Sequence, residues 1–118
     1  MIRNNQMFIS DIVVSMNKIG DYTSGLTFES FKNNDMIIDA VVRNFQIIGE
    51  ASKNLPEDIK AKYPLIPWKK MISLRNYIAH EYFGIDISII WNIVTKNIPE
   101  TKPLVIALLE QSSENEDL

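Results

Sequence analysis

Residues 35–54, DMIIDAVVRNFQIIGEASKN, constrain the fold more than any other part of the chain. Their apolar residues point almost all round a 3.6-residue turn, so this helix belongs in the middle of an assembly of other helices. Asp35 is a suitable N-cap. The polar residues inside the run are ordered. Asp39, Arg43, Gln46 and Glu50 follow one another at +4, +3 and +4, which sets them in one stripe. Two readings fit such a stripe: a solvated strip on an otherwise buried helix, or the polar lining of a cleft or dimer seam.

The remaining segments repeat the helical period. Ile2, Met7, Phe8, Ile9, Ile12, Val13, Met16 and Ile19 predict an amphipathic helix over 2–20, ending near Gly20. DYTSGLT (21–27) is a turn, and Thr27 with Ser30 can start a short helix. Between proline turns, EDIKAKY predicts a second short helix. Pro67 suits the first turn of WKKMISLRNYIAHEYFG, with Gly84 as its stop. Asp86 caps ISIIWNIVTKN, which is expected to end before Pro99, and a last helix is expected from about 100 to 111. No segment has a period of two. The expectation is therefore an all-α fold, a bundle of four or five helices. It forms a single domain over 1–112, followed by an acidic, frayed tail over 113–118.

Composition excludes several function classes. The 118 residues, 46% hydrophobic and 23% charged, suit one globular domain. With no cysteine, neither a disulfide framework nor a thiolate metal site is available, which fits a reducing cytoplasm. The N-terminal run is broken by Asp11 and Asn17, so it predicts neither a signal peptide nor a membrane span. A formal charge of −3 is unlike a general nucleic-acid binder, so any RNA contact must rest on a local positive patch. No DNA partner is expected.

The chemistry concentrates in RNYIAHEY (75–82), which holds the one histidine, His80. Asn76 lies one turn before His80 on the same face, and Arg75 and Tyr82, seven apart, share another. Arg75 and His80 are five apart, roughly 140° around an ideal helix. They converge only if the helix end is distorted or a second copy supplies one of them across a two-fold axis. No HExxH-type spacing and no Gly-rich phosphate loop is present, so no metal and no cofactor is called for. What remains suits metal-independent RNA cleavage. Imidazole can take the proton of a ribose 2′-hydroxyl, imidazolium can protonate the leaving oxygen, and guanidinium can clamp the phosphate. A surface ion-pair cluster of Arg75, His80 and Glu81 fits the same spacing.

The stretch Arg75-Asn76-Tyr77-Ile78-Ala79-His80-Glu81-Tyr82 resembles the R-x4-H-x-Y motif of the HepT family in the HEPN superfamily. IIGEASKNLP (47–56), YPLIPWKKMISLRN (63–76) and YFGIDISIIWNIVTKNIP (82–99) resemble the same family in order and spacing, so the likeness covers most of residues 36–100. The resemblance implies a HEPN helical bundle and a homodimer with R-x4-H motifs facing across the interface. It implies a metal-independent ribonuclease that is the toxin of a type VII toxin–antitoxin pair, with Arg75 and His80 catalytic. The implied partner is an MntA-like minimal nucleotidyltransferase antitoxin, which transfers AMP to the motif tyrosine, Tyr82. Asn76, Arg43 and Asn44 are implied to support the site, and Glu50, on the same stripe as Arg43, is expected to orient it. The alternative is a catalytically silent HEPN scaffold that dimerises and binds a nucleotidyltransferase.

Other residues have blander readings. Trp68 and Trp91 are expected in the core. Lys69 and Lys70 are either a basic patch or a solvated helix start. Glu81 either raises the basicity of His80 or repels RNA phosphate. The acidic tail is a solubilising end, a shield for a basic site, or an antitoxin contact.

Overall fold

A computed structural model describes residues 4–81 and 84–114. Ile2, Tyr82, Phe83 and the 115–118 portion of the expected tail lie outside the described residues. The described residues are helical with short connections: α1 (Asn5–Thr23), α2 (Phe28–Lys32), α3 (Asp35–Asn54), α4 (Glu57–Lys62), α5 (Trp68–His80), α6 (Ile87–Asn92) and α7 (Ile98–Glu114), with a π-helical turn (Ile93–Asn97) joining the last two. Four long rods, α1, α3, α5 and the continuous α6–α7 path, make the bundle, while α2 and α4 act as connectors. The all-α expectation holds. No described helix is long and apolar enough to cross a membrane.

α3 is the central rod, with α1 on one side and α5 on the other. Ile38, Val41, Phe45, Ile48 and Ala51 bury its inner face. The stripe is on the outside: Asp39, Arg43 and Gln46 are exposed and Glu50 is half-buried. α1 presents Ile9, Ile12, Val13, Met16 and Ile19 to the same core, the i, i+3, i+4, i+7 pattern of one helix face. Phe31 is buried, and its ring lies 5.0 Å from that of Trp91. Trp68 is buried and donates its indole N–H to the Tyr63 carbonyl at 3.1 Å.

Several boundaries differ from the sequence expectation. α1 passes through Gly20 to Thr23, whose buried hydroxyl donates to the Ile19 carbonyl at 2.7 Å. Glycine inside a helix costs only about 1 kcal/mol, so it is a weak stop. The turn is made instead by Gly25, at φ 75°, a conformation that other residues rarely adopt. α3 is capped by Asn34, not Asp35: the Asn34 side-chain oxygen accepts the Ile37 N–H at 3.1 Å. Asp35 lies in the first turn, where its charge meets the positive end of the helix dipole. Replacing Asn34 by alanine is expected to cost about 1 kcal/mol, read as a lower urea midpoint with unchanged slope.

α5 stops at His80, well before Gly84. The Tyr77 hydroxyl accepts the backbone N–H of Asp86, the residue before α6, at 2.9 Å. Asp86 then caps α6 as expected, accepting the Ser88 N–H at 2.9 Å and the Ser88 hydroxyl at 2.6 Å. These two bonds, the hydroxyl's first, hold the Asp86 carboxyl below its usual range. Pro99 does not end the helix, and Pro103 also lies inside α7. The π turn immediately before Pro99 widens the backbone, and the Ile98 N–H bonds five residues back to Ile93. A wider turn makes room for a proline ring that would strike the carbonyl four residues earlier in a regular helix.

Candidate active site

The site is built where α3 and α5 cross. At Gly49 a Cβ would lie 2.2 Å from the Arg75 Cβ, 2.9 Å from its Cγ and 3.0 Å from the Met71 carbonyl oxygen. Only a residue without a Cβ lets the Arg75 stem lie against the α3 backbone in this way. The next residue along α3, Glu50, takes the Arg75 Nε–H on its carboxylate at 2.5 Å. The Arg75 Nη1 donates to the side-chain oxygen of Asn76 at 3.2 Å. The Arg75 side chain is 31% exposed and that of Glu50 45%. The guanidinium is thus held at the surface of the helix pair, open to a ligand.

Of the residues expected at the site, Arg75, Asn76 and Glu50 are therefore brought together. The expectation that Glu50 orients Arg43 needs correction, because its carboxylate grips Arg75. Arg43 is exposed and lines a shallow groove of about 330 Å³ between α1 and α3, with Phe8, Asp11, Gln46 and Glu50 among its walls. Asn44 faces inward. It is 5% exposed and its amide donates to the Ala40 carbonyl at 2.8 Å, one turn back in the same helix. His80 is exposed at the last position of α5. α5 is α-helical through His80, so Arg75 and His80 keep the roughly 140° offset of an ideal helix. Tyr82 lies outside the described residues. Lys69 and Lys70 are both exposed at the start of α5.

Two residues that sequence reasoning passed over shape the site. Gly49 sits in the IGEA block, but nothing in the sequence says which residue fills the space it leaves. Tyr77 lies inside the RNYIAHEY segment, and its hydroxyl ties α5 to the start of α6 by accepting the Asp86 N–H. Among the described residues no three His, Cys, Asp or Glu side chains come together as a metal-ligand set.

Chemically, the arrangement offers a fixed guanidinium with open N–H groups and an exposed imidazole at a helix end. That pairing suits anion recognition beside proton transfer.

Comparison with known proteins agrees on one family. Residues 12–108 match the family described as ribonuclease HepT-like. A Methanocaldococcus jannaschii protein named "Putative RNase" is 42% identical over 100 residues, spanning 85% of this chain and 92% of the relative. A second protein of that organism with the same descriptive name is 47% identical over 92 residues, spanning 78% and 76%. The "Probable ribonuclease HepT" of Thermococcus cleftensis is 38% identical over 102 residues, spanning 86% and 93%. No solved structure matches. The central helix, the R-x4-H-x-Y segment and these relatives lead to one conclusion: the chain belongs to the ribonuclease HepT-like family of the HEPN superfamily.

Proposed function

We propose that this chain is a metal-independent ribonuclease acting as a homodimer, and that it is the toxin of a toxin–antitoxin pair. The observation that carries the reading is the state of Arg75. Its guanidinium is held by Glu50 and Asn76 while staying partly exposed, as a phosphate clamp requires. The family relationship supports RNA as the substrate.

In the proposed reaction, neutral His80 removes the proton from a ribose 2′-hydroxyl. The 2′-oxygen attacks the adjacent phosphorus, and the bond from phosphorus to the 5′-oxygen breaks. A protonated imidazole, His80 of the partner subunit, gives its proton to the leaving 5′-oxygen. The products are a 2′,3′-cyclic phosphate and a 5′-hydroxyl. Arg75 stabilises the charge that builds on the phosphoryl oxygens. A second copy is invoked because α5 stays regular through His80, so one chain keeps Arg75 and His80 apart in direction.

The proposed partner is an MntA-like minimal nucleotidyltransferase antitoxin. The Tyr82 oxygen attacks the α-phosphorus of ATP on that enzyme, and pyrophosphate leaves. The resulting adenylate adds negative charge and bulk, which oppose the binding of RNA phosphate. Tyr82→Phe is expected to fold normally and to accept no AMP when incubated with antitoxin and ATP. Intact-mass spectrometry reads this directly, and AMP still found on the variant would assign the modification elsewhere.

A further inference from the structure

We propose that Glu50 is a positioning residue, which with Gly49 fixes the Arg75 guanidinium so that its outer edge faces substrate phosphate. The inference rests on the ribonuclease reading of Arg75 given above.

The donor inventory of arginine carries the argument. A guanidinium has five N–H groups in a planar fork: one on Nε and two on each Nη. In this chain the Nε–H is taken by Glu50 and one Nη1–H by Asn76. One Nη1–H and both Nη2–H groups remain. One of the Nη2–H groups lies beside the Nε–H, and the other faces outward along the Nη1–Nη2 edge, the edge suited to two-pronged capture of a phosphate. A guanidinium free to rotate would present either its Nε edge or its Nη edge. With the Nε edge held by a carboxylate, only the Nη edge is offered.

Gly49 sets the other end of the lever. Its missing Cβ brings the Arg75 stem within van der Waals reach of α3, one residue from Glu50. The pair is adjacent because the α3 backbone delivers a space and a carboxylate in succession, at Gly49 and Glu50. Partly exposed ion pairs add little stability. Both partners of this one are partly exposed, so its effect is geometric.

The carboxylate also distinguishes positioning from charge supply. A residue that merely strengthened RNA binding by charge would not be acidic at this place. Glu50 lowers the local positive field, and what it contributes in exchange is orientation. This predicts a change in kcat more than in KM when it is removed.

The test uses the full-length chain labelled with nitrogen-15. It follows the Arg75 Nε–H signal by NMR and RNA cleavage by gel, in wild type, Glu50→Ala and Glu50→Gln. The amide of glutamine keeps an acceptor for the Nε–H without the charge. Slow exchange of the Arg75 Nε–H is expected in wild type and Glu50→Gln, with fast exchange in Glu50→Ala. Cleavage should follow the same order, with kcat falling about 30-fold in Glu50→Ala and only about 5-fold in Glu50→Gln, as expected when a reacting group loses its alignment. Arg75 exchange unchanged in Glu50→Ala overturns the proposal, as does full cleavage by that variant. A wild-type chain that cleaves no RNA removes the ribonuclease reading, and the exchange measurement then decides by itself whether Glu50 holds Arg75.

Discussion

Gly49→Ala should unfold at a thermal midpoint about 10 °C below wild type, a loss of about 2 kcal/mol for a domain of this size. Two effects compete. Alanine is the better helix former and by itself would add about 1 kcal/mol inside α3. Against that, the new methyl would lie 2.2 Å from the Arg75 Cβ and 3.0 Å from the Met71 carbonyl oxygen. Neither atom is the free end of a flexible chain, since one is anchored to the α5 backbone and the other is part of it. Relief requires α3 and α5 to separate, and overpacking of this kind costs about 1–3 kcal/mol or more. With the contact this close, the upper end applies and overlap wins. The same separation would draw Arg75 away from Glu50, so activity should fall further than stability. A midpoint equal to or above wild type, measured by circular dichroism, would contradict the close crossing on which the site depends.

His80→Ala is expected to abolish growth inhibition while leaving a folded protein. General acid–base catalysis contributes about 100- to 10,000-fold, and losing both base and acid of the proposed symmetric pair puts the loss toward the larger figure. Stability should change by no more than about 0.5 kcal/mol, because His80 is exposed at the end of α5. Arg75→Ala should be equally inactive, for want of the phosphate clamp. A folded His80→Ala variant that still arrests growth would end the catalytic role of the histidine.

Much of the fold was legible because it rests on local signals. The all-round apolar run of 35–54 became the central α3, and Thr27 with Ser30 became the capping box that starts α2. Asp86 capped α6 for the reason its side chain suggested. The misplaced boundaries have separate causes. α5 ends at His80, and the Asp86 N–H beyond it donates to the Tyr77 hydroxyl, a contact nine residues apart that local punctuation does not announce. The π turn at Ile93–Asn97 lets the helical path run on from α6 into α7 through Pro99. α1 runs through Gly20, and Gly25 carries the turn at positive φ.

The candidate site was legible in part. Residue types and spacing in RNYIAHEY pointed to Arg75 and His80, and the stripe on α3 pointed to Glu50. Which arginine Glu50 would meet was not legible. Arg43 shares its helix at i, i+7, whereas Arg75 lies on another helix whose approach is set by the missing side chain of Gly49. The resemblance implies that Asn44 supports the site, whereas its side chain turns inward to its own helix. Side-chain direction follows from helix phase against the core, which requires the packing partners to be known.

The most direct measurement incubates purified chain with total cellular RNA at neutral pH in excess chelator, comparing wild type with His80→Ala. The account predicts fragments ending in cyclic phosphate and 5′-hydroxyl from wild type alone. No cleavage by wild type, or equal cleavage by both, would contradict it and favour a silent scaffold that binds a nucleotidyltransferase.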